Sequence, residues 1–199
     1  GGIGKDPEIS KQASTLVWKW FDDHKAIDPA LVAATLGIAA RVGDQKLWDR
    51  MHQEASKSTD RDERGRMLAA MGLFVDPKLV EESMMLFLGK EFDIREAAGL
   101  LQQGFQNRTS RPIAYEFVKT HFDDIVAKLP VQFRPYMAFI IVSMCDDAKK
   151  PEFESFFKPR IEKFDGGPRA MAQAEEQLHV CSAGRKAEAP GVEAFLKNQ

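Results

Sequence analysis

The sequence predicts an all-α protein, an α-α superhelix of paired, stacked helices with no sheet. Three observations carry that expectation. Apolar residues recur at helical spacing in one segment after another. Those segments are closed by Gly, Pro or Asp-Pro. Hardly any stretch shows the two-residue alternation of a half-buried strand.

The first helix runs over Ser10–His24, with Ala13, Leu16, Val17, Trp20 and Phe21 on one face. Asp28 caps a second helix and Pro29 takes its first position. That helix ends near Val42 at Gly43, and Asp44 caps a third with Leu47, Trp48, Met51 and Ala55. Thr59, with Asp62 three residues on, is a near match to a capping box and opens a fourth helix. Its inward residues are Met67, Leu68, Met71 and Leu73. Asp76-Pro77 repeats the cap-plus-proline device for a helix through Val80, Met84 and Phe87, closed by Gly89. Asp93 caps the next, with Ala97, Leu100, Leu101 and Phe105 inward.

Asn107–Ser110 is a polar joint. Pro112 then sits in the first turn of a longer helix reaching Ile125, broken at Leu129-Pro130. An apolar helix follows over Phe133–Met144, then a short one over Pro151–Lys158 bearing Phe153, Phe156 and Phe157. Asp165-Gly166-Gly167-Pro168 is a loop. The last long helix covers Arg169–Ser182, and a separate terminal helix covers Gly191–Asn198. The sum is about eleven helices with short connections, the pattern of helix pairs packing side by side. Asp28-Pro29-Ala30-Leu31-Val32 and Asp76-Pro77-Lys78-Leu79-Val80 share D-P-x-L-V at an offset of 48 residues. Arrays of paired helices repeat at roughly 34 to 47 residues, so the pattern suits a solenoid. An irregular bundle using proline caps is the alternative.

The chain has 199 residues, 44% hydrophobic and 29% charged, which suits one globular domain. Its net charge of −2 (28 basic, 30 acidic) argues against a general nucleic-acid surface. The longest apolar run, Met137–Met144, is far short of the roughly 20 residues that span a bilayer, so no membrane segment is expected. Residues 1–9 read as an exposed tail or a cloning scar without the features of a signal peptide, and 10–199 as the folded domain. Cys145 and Cys181 form no C-x-x-C pair. Buried free thiols are the favoured reading over a disulfide.

No catalytic constellation is assembled. His24, His52, His121 and His179 lie too far apart in sequence for a zinc-peptidase helix, which needs two histidines one turn apart, so no metal site is expected. There is no G-x-S-x-G. Cys145 has an acidic neighbourhood, Asp146-Asp147, which disfavours a thiolate. The alternating charges of Asp60–Arg66 read as a solvated helix face. One segment stands out. Gln106-Asn107-Arg108-Thr109-Ser110-Arg111 gathers guanidiniums, amides and hydroxyls at a helix start, where backbone N–H groups favour a carboxylate. Gln106, Asn107 and Arg111 are therefore the candidate carboxylate-binding residues, with ordinary capping as the competing reading.

Several segments together resemble the C-terminal helical domain of M1-family zinc aminopeptidases (aminopeptidase N-like), the type named for endoplasmic-reticulum aminopeptidases. They are Ile27–Asp44 followed by Leu47-Trp48; Glu63-Arg64 with Leu68–Met71 and Asp76–Leu79; Asn107–Arg111 before Ala114-Tyr115-Glu116-Phe117-Val118; and Glu152–Phe157 followed by Arg169-Ala170 and Glu175-Glu176-Gln177. The third is similar to the family's N-P-x-G-R-x-x-A-W-x-F. Arg108 stands where proline is usual, Ser110 where glycine is usual, and Tyr115 and Phe122 replace tryptophans. The resemblance implies a bowl of HEAT-like helix pairs that covers an active site and limits which peptides reach it. It also implies that the zinc ligands, the exopeptidase motif and the hydrolytic chemistry belong to a catalytic domain of the same polypeptide. No cofactor is then expected in this chain, which by itself should be inactive. A non-enzymatic helical adaptor that binds a partner protein is the alternative function.

Overall fold

The computed structural model describes residues 6–197. It divides into two compact units, residues 1–125 and 126–199. Among the described residues all regular structure is helical. Of the expected N-terminal tail, Gly1–Lys5 lies outside the described residues, whereas Pro7 already begins the first helix, three residues before Ser10.

In the first unit, α1 (Pro7–Asp22), α2 (Pro29–Arg41), α3 (Gln45–Lys57), α4 (Arg61–Met71), α5 (Pro77–Leu88) and α6 (Ile94–Gly104) each start after an aspartate. Asp6, Asp28, Asp44, Asp60, Asp76 and Asp93 each accept backbone N–H groups of the following turn. This satisfies donors that have no partner within the helix. Asp60, rather than Thr59, caps α4. The cap positions Asp28, Asp44, Asp60 and Asp76 stand 16 residues apart. A helix pair therefore recurs about every 32 residues. The D-P-x-L-V match at 48 spans three helices and relates α2 to α5, which take different places in the stack.

Helices α2, α4 and α6 form one row, α2 packed on α4 and α4 on α6. α1, α3 and α5 each pack on the helix that follows them. They form the second row, with polar ties along it: the Arg50 guanidinium on α3 donates to the Phe21 carbonyl on α1 at 3.2 Å, and Trp48 Nε1 on α3 donates to Ser83 Oγ on α5 at 2.8 Å. Between the rows lies the core, with Trp20, Leu36, Met51, Met67, Leu68, Met71, Phe74, Met84 and Leu100 fully buried. The α4–α6 approach is close because Gly72 lacks a side chain. A Cβ there would stand 2.9 Å from the Leu100 carbonyl oxygen and 2.8 Å from Gln103 Cβ.

The helix expected from Pro112 to Ile125 is two helices, α7 (Arg111–Thr120) and α8 (Phe122–Lys128). Backbone angles of −110° and 24° at His121 break it. Neither Gly nor Pro marks that position.

The second unit contains a 3-10 segment (Val131–Met144), a short 3-10 turn (Asp147–Lys149), α9 (Lys150–Ile161) and α10 (Gly167–Lys197). The α-helix expected over Phe133–Met144 is not formed. Pro135 has no N–H, and in an α-helix its ring would collide with the carbonyl of Val131. In a 3-10 helix every third residue is eclipsed, and the buried Pro135, Ala138 and Ile141 fall at that interval. α10 packs along this segment and α9 contacts both. Phe153 and Phe157 stack at 4.7 Å between ring centroids inside this core. The loop at Asp165–Pro168 is shorter than expected, with Gly166 at φ 75°, a conformation open to glycine. The two expected C-terminal helices are one continuous helix to Lys197. Ala183–Ala189 is rich in good helix formers, and the chain stays helical through Pro190. Asn198 lies outside the described residues.

Cys145 and Cys181 are disulfide-bonded, with their Cα atoms 5.3 Å apart. This overturns the expectation of free thiols. Cys145 ends the 3-10 segment in a left-handed conformation (φ 49°), and Cys181 lies on the helix that packs along that segment. The pairing depends on this packing and not on the spacing of the two cysteines.

Replacing Ser83 with Ala leaves Trp48 Nε1 and the Met71 carbonyl without their buried partner. It should cost about 1–3 kcal/mol in urea unfolding; an unchanged midpoint would show that the tie is dispensable. Replacing Cys145 and Cys181 together with Ala frees a 36-residue separation. Chain entropy then predicts a loss of about 3–4 kcal/mol. Thermal unfolding should show the native chain falling to the variant's midpoint in reductant, while the variant itself does not respond.

Candidate functional site

The predicted residues Gln106, Asn107 and Arg111 come together in the turn between α6 and α7. The Gln106 N–H donates to the Gln103 carbonyl at 3.0 Å. Asn107 Oδ1 accepts from the Thr109 N–H at 2.8 Å, an Asx-type turn. The Asn107 carbonyl accepts from the Arg111 N–H at 2.9 Å. Arg111 Nε donates back to the Phe105 carbonyl at 3.0 Å, which ties the start of α7 to the end of α6. Ser110 is fully buried, and its hydroxyl donates to the Gly104 carbonyl at 2.8 Å. It precedes α7 in helical conformation and makes no side-chain cap. The first turn of α7 is therefore not closed by a side chain in the way α1 to α6 are. Gln106 is exposed and Arg111 half-buried.

A groove of about 640 Å³ lies against α2, α4 and α6. It is lined by small residues, among them Ala33, Gly65, Ala69 and Gly99, and by the charged Arg61, Arg66, Arg95 and Glu96. Gln103 places one end of the groove a few residues from the α6–α7 turn. Sequence reading missed this groove. Gly65 and Gly99 inside helical patterns are its only local signal, and the residues around it come from three helices.

The charge run Asp60–Arg66 is only partly a solvated face. Arg64 forks onto Glu96 of α6 at 2.7 and 2.8 Å and also donates to the Ser58 carbonyl at 2.8 Å. Arg61 adds a third contact to Glu96 at 3.0 Å. Hydrogen bonding from Arg64 holds the Glu96 carboxyl below its ordinary value. Asp93 is held down to about 2, first by the Arg95 side chain and then by the Arg95 N–H. The histidines also have partners that their sequence spacing hides. His24 meets Glu63 at 3.1 Å and His52 meets Glu91 at 2.9 Å, each across 39 residues. Each ring lies against the tryptophan four residues before it, Trp20 or Trp48. Ser56 also donates to Glu91. Against burial, which pushes the other way, these bonds from Ser56 and His52 lower the Glu91 pKa. Among the described residues no group of three or more His, Cys, Asp or Glu side chains is placed to hold a metal ion, and no helix is long and apolar enough to cross a membrane.

A carboxylate whose pKa is lowered by folding contributes stability above its unfolded value and loses it as pH falls through the folded value. The Glu96 contribution should therefore be complete above about pH 4.5 and vanish on further acidification. Glu96→Gln should lower the denaturation midpoint at neutral pH and flatten the acid limb of the stability–pH curve. An identical acid limb in the variant would show that Glu96 does not supply it.

The ERAP1-like C-terminal domain family matches the chain over residues 1–180. The chain is also similar to "Aminopeptidase 2, mitochondrial" of Saccharomyces cerevisiae, with 24% identity over 131 residues. That match takes in 63% of this chain but only 13% of the relative's own length. Match length, helical architecture and the ordered motifs agree, and the chain belongs to the ERAP1-like C-terminal domain family.

Proposed function

We propose that this chain is the substrate-enclosing, regulatory C-terminal part of an M1-type zinc aminopeptidase, a HEAT-like wall that limits which peptides reach a catalytic domain of the same polypeptide. The family match over residues 1–180 carries the reading. The groove on α2, α4 and α6 supports it, because a row of short helices offers a concave face to an extended ligand. Zinc would be held by the catalytic domain, where it activates water for removal of N-terminal residues. Within this chain, Gln106 and Arg111 are the proposed peptide contacts, and Asn107 holds the turn between them.

The complete polypeptide should hydrolyse aminoacyl-arylamides in a chelator-sensitive way, and this chain alone should not. Real turnover by the isolated chain would refute the assignment. In the complete polypeptide, Gln106→Ala and Arg111→Ala should change the dependence of kcat/KM on peptide length while leaving a single-residue arylamide unaffected. Equal kinetics across all lengths would remove the two residues from peptide contact.

The adaptor reading has one observation in its favour. Val192, Phe195 and Leu196 lie on one face near the end of α10 and are more than half exposed. A polypeptide whose other segments lack the H-E-x-x-H zinc motif would favour the adaptor over the peptidase.

A further inference from the structure

We propose that Asn107 is an N-glycosylation site and that the protein matures in an oxidising, secretory-type compartment. The inference goes beyond the peptidase reading and does not rest on it. Two independent observations support it.

The first is the Asn107-Arg108-Thr109 triplet. A non-proline residue followed by a hydroxyl residue after asparagine is the acceptor pattern for N-linked glycans. The triplet's structural setting suits a glycan. It lies in the turn between α6 and α7, with Arg108 and Thr109 exposed. Asn107 Oδ1 accepts the Thr109 N–H at 2.8 Å, which orients the amide. Asn107 Nδ2 has no hydrogen-bond partner among the described residues, yet it is not a buried unsatisfied atom. Asn107 itself is half-buried; its nitrogen is not among the fully buried atoms that lack a partner, and its oxygen holds the turn. A glycan on Nδ2 would leave the turn intact.

The second observation is the Cys145–Cys181 disulfide in the other unit. Structural disulfides form and persist in the secretory lumen, the periplasm and outside the cell, and are rare where thiols are kept reduced. The bond and the acceptor triplet are unrelated in sequence and lie in different units, and both suit the same kind of compartment.

The step is a glycosyl transfer with no change in oxidation state. Asn107 Nδ2 displaces the diphosphate at the anomeric carbon of a polyprenyl-diphosphate-linked oligosaccharide. The C1–O bond breaks, and the lipid diphosphate leaves with the electron pair. The Nδ2–C1 bond forms, and the amide proton passes to a base of the transferase.

The test is glycopeptide mass mapping of the protein isolated from its own cells, with and without peptide N-glycosidase, alongside thiol alkylation without reductant. The expected result is a glycosidase-sensitive mass on the peptide containing Asn107, and unalkylated Cys145 and Cys181. Asn107→Asp keeps the Oδ1 acceptor and removes Nδ2, so it should lose the glycan while keeping the helical circular dichroism and unfolding midpoint of the deglycosylated protein. Thr109→Ser should retain the glycan and Thr109→Ala should lose it. An unmodified Asn107 peptide from the native source, or freely alkylated cysteines there, would overturn the proposal.

Discussion

Helices of 11 to 16 residues, such as α1 to α6, are marginal in water on their own, and the rest of the structure follows from that constraint. Each has to be closed at its start by local chemistry and completed by burial against neighbours on more than one side. The aspartate caps meet the first requirement. Two rows of helices meet the second: α4, for example, packs on α2, on α6 and on its partner α3. The regular 16-residue spacing of the caps from Asp28 to Asp76 sets a near-constant helix length, which lets successive helices present equivalent faces to one another.

Packing supplies the apolar contacts, and a small set of polar ties joins helices that apolar contact alone would let slide. Trp48, Ser83 and the Met71 carbonyl form a buried chain of hydrogen bonds across α3, α5 and the end of α4. Arg64 and Arg61 converge on Glu96 and fix α4 against α6 beside the groove. A bidentate guanidinium–carboxylate contact is directional, so it sets how α4 and α6 align as well as how close they come. The groove walls are therefore held by the same ion pairs that stabilise the stack.

The second unit reaches stability by different means. Its 3-10 segment buries Pro135, Met137, Ala138 and Ile141, and hydrogen-bond geometry in such a helix is poorer than in an α-helix. The disulfide to α10 and the stacked Phe153 and Phe157 compensate by restricting the unfolded chain and filling the core. From Ala183 to Lys197 α10 has no buried residue, so that stretch of helix contributes little to the unit's own core.

The sequence by itself determined the helical class, nearly all the helix starts, most of the core faces (Leu16, expected inward, is exposed) and the position of the α6–α7 turn. These depend on interactions within about four residues, such as an aspartate and the N–H groups of the next turn. It also carried the ordered motifs that place the chain in its family. Tertiary structure alone decided that Cys145 meets Cys181, that His24 and His52 each meet a glutamate 39 residues on, that Arg64 leaves a solvated face for Glu96, and that three helices leave a groove between them. It also decided the break at His121 and the continuity of α10. Such contacts join residues far apart along the chain, and their energy depends on how the helices pack, which no local pattern records.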